Sequence, residues 1–241
     1  MAQSKVEFPK VASRAEWLAA RKELLIKEKR LTRERDALNA ERRQLSMVKL
    51  EKEYVFDASG GKETLSDLFG GRSQLIVNHF MLGPGWNEGC VGCSFGADHF
   101  EGALVHLEHH DVSLVAISRA PLPEIEAYLK RMGWRFKWVS SYGSDFNYDF
   151  NVSFREDEIA KGRVYYNYTM REFQSEELPG LSVFYKNDRG ELFHTYSTFA
   201  RGAEEMLTTY VLLDLTPKGR NETGPNYDLT DWVRRHDQYD E

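Results

Sequence analysis

The sequence contains few of the features that mark secreted, disordered or membrane-spanning proteins. Only 2 of its 241 residues are cysteine and only 7 are proline, so neither a disulfide framework nor a proline-rich linker is expected. The longest apolar stretches, such as residues 75–77 and 210–213, fall far short of the roughly 18 residues that a membrane span requires. Residues 1–10 lack the apolar core of a secretory signal. We therefore expect a soluble, cytoplasmic protein without a membrane partner.

Positive charge is scarce relative to negative charge. The chain has 32 lysines and arginines against 38 aspartates and glutamates, a formal net charge of -6. Surfaces that bind nucleic acid are normally basic, so no nucleic-acid partner is expected. Hydrophobic residues make up 41% and aromatic residues 13% of the chain, which is enough for a sizeable core. The length fits one large domain or one domain with an appendage, and we expect no cofactor.

The N-terminal part lacks glycine and proline over a long stretch. Ser13 and Glu16 form a capping-box pattern, and no residue between positions 14 and 45 would stop a helix. Apolar residues recur along it every seven positions, namely Trp17, Leu24, Leu31, Leu38 and Leu45. Charges of both signs surround this narrow stripe, as on a solvent-exposed helix. We expect residues 1–47 to form a helical extension whose stripe packs on a second copy in a homodimer, or on its own domain.

The remainder of the chain, residues 48–241, alternates strand and helix patterns as an α/β domain does. Strand patterns occupy residues 48–57, 74–82, 111–118, 134–140, 163–169, 181–185 and 192–199, and helix patterns run from the cysteines through Leu107, over residues 122–132 and over residues 203–213. The apolar run 74–82 predicts a central strand. Residues 142–170 are expected to be an insertion, and a polar tail follows the last helix. The β-α-β-α order predicts parallel strands with reactive groups at their carboxyl ends.

The two cysteines, Cys90 and Cys93, have the Cys-x-x-Cys spacing of redox-active or metal-binding pairs. They follow the glycine-rich loop 83–89 and begin a helix, where free N–H groups and positive potential lower the pKa of a thiol. We expect Cys90 to be the accessible nucleophile and Cys93 to face the core as the resolving thiol. Arg119 is expected at the same sheet edge, where its guanidinium would stabilise the Cys90 thiolate. The alternative is a pair of inert core thiols.

Five of the seven histidines lie near the cysteines in the sequence: His79, His99, His106, His109 and His110. On one continuous helix, His99, His106 and His110 share an edge and could bind a metal ion together with a cysteine. His99 is nearly two turns from Cys93, so a joint site needs further ligands, and packing or surface roles are the alternative. His79, within the central strand, is either a core polar residue or a group that moves protons to Cys93.

Two other residues could border the dithiol from neighbouring segments. Pro179 precedes the strand pattern 181–185 and could lie beside the cysteines, and the sequence leaves both isomers of its peptide bond open. Trp86, in the loop before the cysteines, could supply an apolar wall for a partner or could pack within the core. Neither residue has a pattern that decides between these roles.

Several stretches together resemble a known group of proteins. They are residues 14–18 (RAEWL), 61–69 (GKETLSDLF), 74–80, 89–95 (GCVGCSF), 131–136, 140–149 and 214–219. They are similar to the AhpC/TSA-like branch of the thioredoxin-fold superfamily and, more closely, to an uncharacterised bacterial group of predicted dithiol-disulfide oxidoreductases. The resemblance covers nearly the whole chain. It implies a thioredoxin-like α/β fold, in which helices flank a central mixed sheet, with a long N-terminal helical extension and a redox-active Cys-x-x-Cys.

The sequence departs from two patterns of the superfamily. Peroxiredoxins activate peroxide with a Pro-x-x-x-Thr-x-x-Cys motif, and neither the proline nor the threonine stands in register with Cys90 or Cys93. This departure disfavours peroxidase activity and favours dithiol exchange. Val91 and Gly92 replace the Gly-Pro pair that is familiar between the thioredoxin cysteines, so no redox potential carries over.

The expected function is therefore thiol-disulfide exchange. Cys90 would attack a disulfide in a protein or small-thiol substrate, Cys93 would resolve the mixed disulfide, and another dithiol or glutathione would return the electrons. Three alternatives stay open: a metal-binding or metallochaperone module that uses both cysteines with a histidine, a thiol peroxidase, and a scaffold assembled through the N-terminal helix. Metal content and peroxide consumption separate the first two from dithiol exchange.

Overall fold

The computed structural model describes residues 9–172, 175–200, 202, 204–220 and 232–239. Seven helices lie in these ranges: α1 (Arg14–Arg42), α2 (Val91–Ala97), α3 (Leu104–His109), α4 (Leu122–Met132), α5 (Phe146–Asp149), α6 (Glu156–Ala160) and α7 (Thr208–Leu213). The strands described are β1 (Val48–Lys49), β2 (Val55–Ala58), β3 (Gly61–Thr64), β4 (Gln74–His79), β5 (Val112–Ser118), β6 (Lys137–Ser140), β7 (Val164–Tyr166), β8 (Thr169–Arg171), β9 (Gly180–Lys186) and β10 (Leu192–Phe199). Short 3-10 turns lie at Asp67–Phe69, Glu204–Met206 and His236–Gln238.

Eight of these strands form one mixed sheet in the order β1-β10-β9-β4-β5-β6-β2-β3. β4, β5 and β6 run parallel to one another, whereas β9 pairs antiparallel with β4 and β2 pairs antiparallel with β6. The apolar run 74–82 thus contains the central strand that the sequence predicts. A β-α-β unit joined at its first strand to an antiparallel hairpin is the thioredoxin-like arrangement, and the expected fold class is confirmed.

Alternate residues of the central strands enter two different cores. Leu75 and Val77 of β4 belong to a core on one face, whereas Phe80, which follows β4, and Ala116 of β5 belong to a core on the opposite face. The second core is covered by α4, whose buried residues are Ile125, Tyr128 and Met132. Cys93 packs against this second core, so the dithiol belongs to the helix-covered face.

The helix that follows the cysteines is shorter than predicted. α2 ends at Ala97, and α3 begins only at Leu104, after turns with bonds between residues three apart. Two carboxylates in this interval bond elsewhere: Asp98 accepts from the Trp134 indole at 2.7 Å, and Glu101 accepts from the backbone N–H groups of residues 135 and 136. These hydrogen bonds to distant residues interrupt the helix between α2 and α3. The local sequence pattern gives no sign of them.

Two further segments also differ from the prediction. The strand pattern 163–169 is the hairpin β7–β8, because Asn167 and Tyr168 turn with positive φ angles of 51° and 61°. The predicted helix 203–213 is a 3-10 turn and the separate helix α7, because Leu207 between them has a non-helical ψ of 78°.

α1 contacts the rest of the protein near its C-terminal end, where the Arg42 guanidinium lies over the ring of Tyr196 in β10. The predicted capping box is present, since Ser13 and Glu16 bond reciprocally, and none of the residues of α1 is buried. Trp17 and Leu31 are 50% and 65% exposed, so the stripe does not pack on its own domain as the alternative proposed. The homodimer inferred from the stripe stays a prediction. No helix in the described part of the chain is long and apolar enough to cross a membrane.

Candidate dithiol site

Cys90 lies where a loop meets a helix. β4 ends at His79, and the chain runs through residues 80–89 to Cys90, which is the N-cap residue of α2. The backbone N–H of Cys90 donates to the carbonyl of Met81 at 3.0 Å, which ties the end of the loop to its beginning. Cys90 is therefore held just beyond the carboxyl end of the central strand, as predicted.

The residue before Cys90 has no room for a side chain. A Cβ atom on Gly89 would lie 2.5 Å from the ring of Phe80 and 2.8 Å from the ring of Tyr128. Both rings belong to the helix-covered core against which Cys93 packs. Glycine lets the loop approach this core closely enough to bring Cys90 to the start of α2.

The two thiols are free, and each shifts the pKa of the other. The bond with the Cys93 thiol lowers the pKa of Cys90 to about 6, although burial opposes the shift. The N–H groups of Gly92 and Cys93 and the charge of Arg235 lower this pKa further. At neutral pH Cys90 is mainly a thiolate.

Cys93 has the opposite shift. Its hydrogen bond to Cys90, its burial and the negative charge of Cys90 together raise the pKa of Cys93 well above its usual range. The proton of the pair therefore resides on Cys93, which lies one helical turn after Cys90 and, like Cys90, is partly exposed. Such a pair contains a reactive thiolate and, next to it, a protonated thiol that can supply a proton and then attack.

A buried hydrogen-bond network supports the start of α2. The Ser94 hydroxyl donates to the carbonyl of Cys90 at 2.8 Å and lies 2.9 Å from the Tyr128 hydroxyl. The Nε of Arg235 donates to the same Tyr128 hydroxyl at 3.1 Å. The network thus joins the cysteine helix, α4 and the C-terminal residues.

Arg119 directly follows β5 at the predicted edge of the sheet, but its side chain binds carboxylates there. Its guanidinium forms an ion pair with the buried Glu177, donates to the Tyr148 hydroxyl and lies 3.5 Å from Glu176. The Ser153 hydroxyl also donates a hydrogen bond to the Glu177 carboxylate at 2.6 Å. The charge of Arg119 is neutralised by these acids, and the arginine that acts on Cys90 is Arg235 instead. Position at the sheet edge was insufficient, because a buried carboxylate competes for the guanidinium.

His79 does not relay protons to Cys93. Its ring stacks on Phe146 and Phe150, which belong to the core on the face opposite Cys93. Its Nε2 is 2.7 Å from the Ser182 hydroxyl, and its Nδ1 has no hydrogen-bond partner among the described residues. Burial lowers the pKa of His79 to about 3, so the ring is neutral. His79 is a core polar residue, the alternative that the sequence left open.

The other histidines do not form the predicted edge. His99 lies in the break between α2 and α3, where its two nitrogens bond the Phe95 carbonyl at 2.7 Å and the Thr209 hydroxyl at 2.9 Å. His106 lies on α3 and His110 follows its end. The predicted common edge of His99, His106 and His110 required one continuous helix, so it does not form. Within the described ranges, no group of three or more His, Cys, Asp or Glu side chains is placed to hold a metal ion.

Pro179 has a trans peptide bond, since no cis bond occurs in the described part of the chain. Its carbonyl accepts a hydrogen bond from the Tyr166 hydroxyl at 2.6 Å. Burial raises the pKa of Tyr166. The hydrogen bond ties β7 to the residue that precedes β9.

Trp86 lines a cavity of about 340 Å³ beside the cysteine loop. Leu82 and Tyr128 form part of its apolar wall, and Glu124 and Arg131 contribute charged groups. Tyr128 also belongs to the network beneath Cys90. The cavity is thus a neighbour of the dithiol, on the α4 side of the loop.

One family matches almost the whole chain. It is described as "Bacterial protein of unknown function (DUF899)", and it matches residues 6–239. The chain belongs to this family. The match includes Cys90, Cys93 and Arg235, and it agrees with the uncharacterised bacterial group expected from the sequence. A search of curated proteins finds no match.

Comparison with solved structures returns peroxiredoxins at low identity. A cysteine-to-serine variant of Xanthomonas campestris peroxiredoxin Q is 13% identical, with a TM-score of 0.45 over 66% of this chain and 89% of that chain. Peroxidoxin BcpB from Mycobacterium tuberculosis is 12% identical, with a TM-score of 0.46 over 68% and 95%. The mitochondrial 2-Cys peroxiredoxin from Plasmodium falciparum is 16% identical, with a TM-score of 0.40 over 67% and 88%. Activity does not transfer with such a likeness, because unrelated chemistries share folds.

Three residues of the dithiol site have no functional pattern in the sequence: Ser94, Tyr128 and Arg235. Ser94 immediately follows the motif, and Tyr128 lies on the apolar face of a predicted helix, so each had an ordinary structural interpretation. Arg235 lies in a polar tail without periodicity and far from the cysteines in sequence. No sequence pattern marked it, because only the fold brings the tail to the loop.

Proposed function

We propose that this protein is a thiol-disulfide oxidoreductase that uses Cys90 as the attacking thiolate and Cys93 as the resolving thiol. The observation that carries the proposal is a pair of free thiols at the N-cap and in the first turn of α2, in which the pKa of Cys90 is lowered to about 6 and that of Cys93 is raised. A thiolate is the nucleophile of disulfide exchange. The pair therefore separates the attacking group from the proton-bearing group before a substrate arrives.

The reaction has two exchange steps. The Cys90 thiolate attacks one sulfur of a substrate disulfide, a Cys90–substrate disulfide forms, and the other substrate sulfur leaves as a thiolate that takes up a proton. Cys93 then loses its proton and attacks the Cys90 sulfur, which forms the Cys90–Cys93 disulfide and releases the second substrate thiolate. The substrate gains two electrons, and the cysteine pair is oxidised.

The substrate class is a disulfide in a protein or in a small thiol compound. A second dithiol or glutathione would return the protein to its reduced state by the same exchange in the reverse direction. Cys93 supports this cycle because it lies within one helical turn of Cys90, so resolution is intramolecular.

The test is to trap the mixed disulfide. Reduced Cys93→Ser is incubated with glutathione disulfide or with an unfolded disulfide-bonded protein, and mass spectrometry without reductant locates the adduct. We expect an adduct on Cys90, whereas the matched Cys90→Ser variant forms none on Cys93. The two substrates show whether a small or a protein disulfide is preferred.

Other outcomes would replace the proposal. An adduct on Cys93 alone would reverse the roles of the cysteines. Peroxide consumption by the reduced protein, without any disulfide adduct, would favour a thiol peroxidase. Stoichiometric metal in protein purified without chelator, with neither reaction, would favour a metal-binding module.

A further inference from the structure

The C-terminal residues 232–239 lie against the start of the cysteine helix. Val233 is 1% exposed and packs with Phe95 of α2 and Tyr210 of α7. Val91, between the two cysteines, borders the same cluster. Full burial of a valine side chain contributes about 1.5 kcal/mol or more. The segment is thus anchored beside the motif by apolar packing.

The anchor positions Arg235, whose side chain is 12% exposed. Its Nη2 and Nε donate to the carbonyl oxygen of Gly89 at 2.6 and 3.2 Å. Nη1 forms an ion pair with Glu88 at 2.9 Å, and Nε also donates to the Tyr128 hydroxyl at 3.1 Å. One guanidinium therefore holds the two residues that precede Cys90 and the network beneath it.

We propose that Arg235 is a positioning residue of the dithiol site, which fixes the backbone before Cys90 and supplies the positive charge that stabilises its thiolate. The fork of the guanidinium matters for the first role, because two of its nitrogens share one carbonyl oxygen. The charge matters for the second role, since a cation close to a thiolate favours the ionised form. The C-terminal segment is then part of the active site.

The other charged groups around the loop largely neutralise each other. Glu88 is bonded at 2.6 Å by Arg131, and Arg131 also pairs with Asp237 at 2.7 Å. Glu88 and Asp237 are at the surface, where water and salt weaken their fields. Arg235 is the charged side chain that lowers the pKa of Cys90, and its contact with Gly89 explains why its charge reaches the thiol.

A redox consequence follows from the same charge. Only the reduced form of the pair contains the Cys90 thiolate, so Arg235 stabilises the reduced form relative to the disulfide. Loss of the arginine should lower the reduction potential of the Cys90–Cys93 couple as well as raise the pKa of Cys90. A residue with only a packing role would change the stability of the fold without changing either quantity in this direction.

The experiment compares Arg235→Gln, Arg235→Lys and the neighbouring control Arg234→Gln in the full chain. The rate of Cys90 alkylation by iodoacetamide is followed against pH, with the modified cysteine assigned by peptide mass spectrometry. We expect Arg235→Gln to raise the pKa of Cys90 by about half a unit, which is less than the loss of Cys93 would raise it, because Arg235 contributes less to the shift than Cys93 does. Arg235→Lys should raise it still less, because the charge is kept and the fork is lost. Among the described residues, the side chain of Arg234 donates to the carbonyl of Val233 and has no contact with Cys90 or Gly89, so its replacement should leave the pKa unchanged.

Equilibration with glutathione buffers provides the second measurement, and Arg235→Gln should require a more reducing buffer to become half reduced. An unchanged Cys90 pKa in the folded Arg235→Gln protein would overturn the proposal, as would an equal shift in Arg234→Gln. If Arg235→Gln does not fold, Arg235→Met is measured in its place, and an unchanged Cys90 pKa in that folded variant has the same consequence. The inference rests on the proposed function only for its role in turnover, because alkylation requires no substrate disulfide; failure to trap a mixed disulfide would leave the pKa result standing.

Discussion

Arg119 and Arg235 both place a guanidinium inside the protein, with 15% and 12% of the side chain exposed. Arg119 forms an ion pair with the buried carboxylate of Glu177, and its positive charge compensates the negative charge of that carboxylate. Arg235 faces a backbone carbonyl and the surface carboxylate of Glu88, which Arg131 also neutralises. The field of Arg235 therefore reaches Cys90. The difference teaches that the partners of an arginine, rather than its place in the topology, decide which group it acts on.

The largest expected effect is on the Arg119 side of the comparison. Arg119→Met leaves Glu177 buried without its cation, and breaking such a pair from one side costs about 3 kcal/mol or more of folding stability. Burial already raises the pKa of Glu177, so the variant can relieve the strain by protonating this carboxyl, and its stability deficit should shrink as the pH falls. Urea unfolding at pH 8 and pH 5 measures both effects.

The matched control adds Glu177→Gln to Arg119→Met and should recover most of the lost stability, because the uncompensated charge is gone. The pKa of Cys90 should be unchanged in both proteins. A raised Cys90 pKa in Arg119→Met would erase the distinction between the two arginines and restore the role that the sequence suggested for Arg119.

A second buried group, His79, should also act on stability and leave the thiols unaffected. Burial lowers its pKa from 6.5 to about 3, so the unfolded chain binds a proton below pH 6.5 that the folded chain refuses until about pH 3. The stability that depends on neutral His79 is therefore fully present above pH 6.5 and is lost as the pH falls from 6.5 toward 3. Linkage gives a slope of about 1.4 kcal/mol per pH unit for one such proton.

His79→Gln keeps a polar group near Ser182 but cannot titrate in this range. Between pH 6 and pH 5 its unfolding free energy should fall less steeply than that of the unchanged protein, by about that slope. His194, whose pKa burial also lowers, retains its own contribution in both proteins. Equal slopes would show that His79 is protonated in the folded state.

On the dithiol side, the two cysteine variants should separate hydrogen bonding from charge. The bond with Cys93 is the first cause of the lowered Cys90 pKa, so Cys93→Ala should raise that pKa by about one unit or more. Cys93→Ser keeps a hydroxyl donor and should raise it less. Alkylation rate against pH measures both variants. Identical profiles would mean that Arg235 and the backbone N–H groups suffice to stabilise the thiolate.

The smallest expected effect concerns Glu88, which shares its carboxylate between Arg235 and Arg131. Glu88→Gln leaves the charge of Arg235 less compensated, so the pKa of Cys90 should fall by a few tenths of a unit, as is typical of a screened surface charge. The shift should diminish at high salt when the same alkylation assay is used. A rise instead of a fall would indicate that Glu88 matters by holding Arg235 in place.

Local sequence patterns predicted a large part of the fold. The apolar run 74–82, the helix 122–132 ended by Gly133 and the turn before Leu192 all correspond to observed elements, because apolar periodicity and turn residues act over short distances. The single helix after the cysteines and the single strand 163–169 were wrong. The carboxylates of Asp98 and Glu101 bind distant groups, and the turn at Asn167 carries no strong signal.

The sequence by itself determined the chemistry of the motif: two cysteines three residues apart, after a glycine-rich loop and at the start of a helix. This local arrangement places Cys90 at the N-terminus of α2, where backbone N–H groups have no partners within the helix. It does so independently of the surrounding residues. Only the tertiary structure decided which charges surround the motif. Glu177 lies far from Arg119 along the chain, and Arg235 lies far from Cys90. The strength of an ion pair depends on the distance between the charges and on their burial in the folded protein. Only folding therefore determines that Arg119 pairs with Glu177 and that Arg235 lies beside the dithiol.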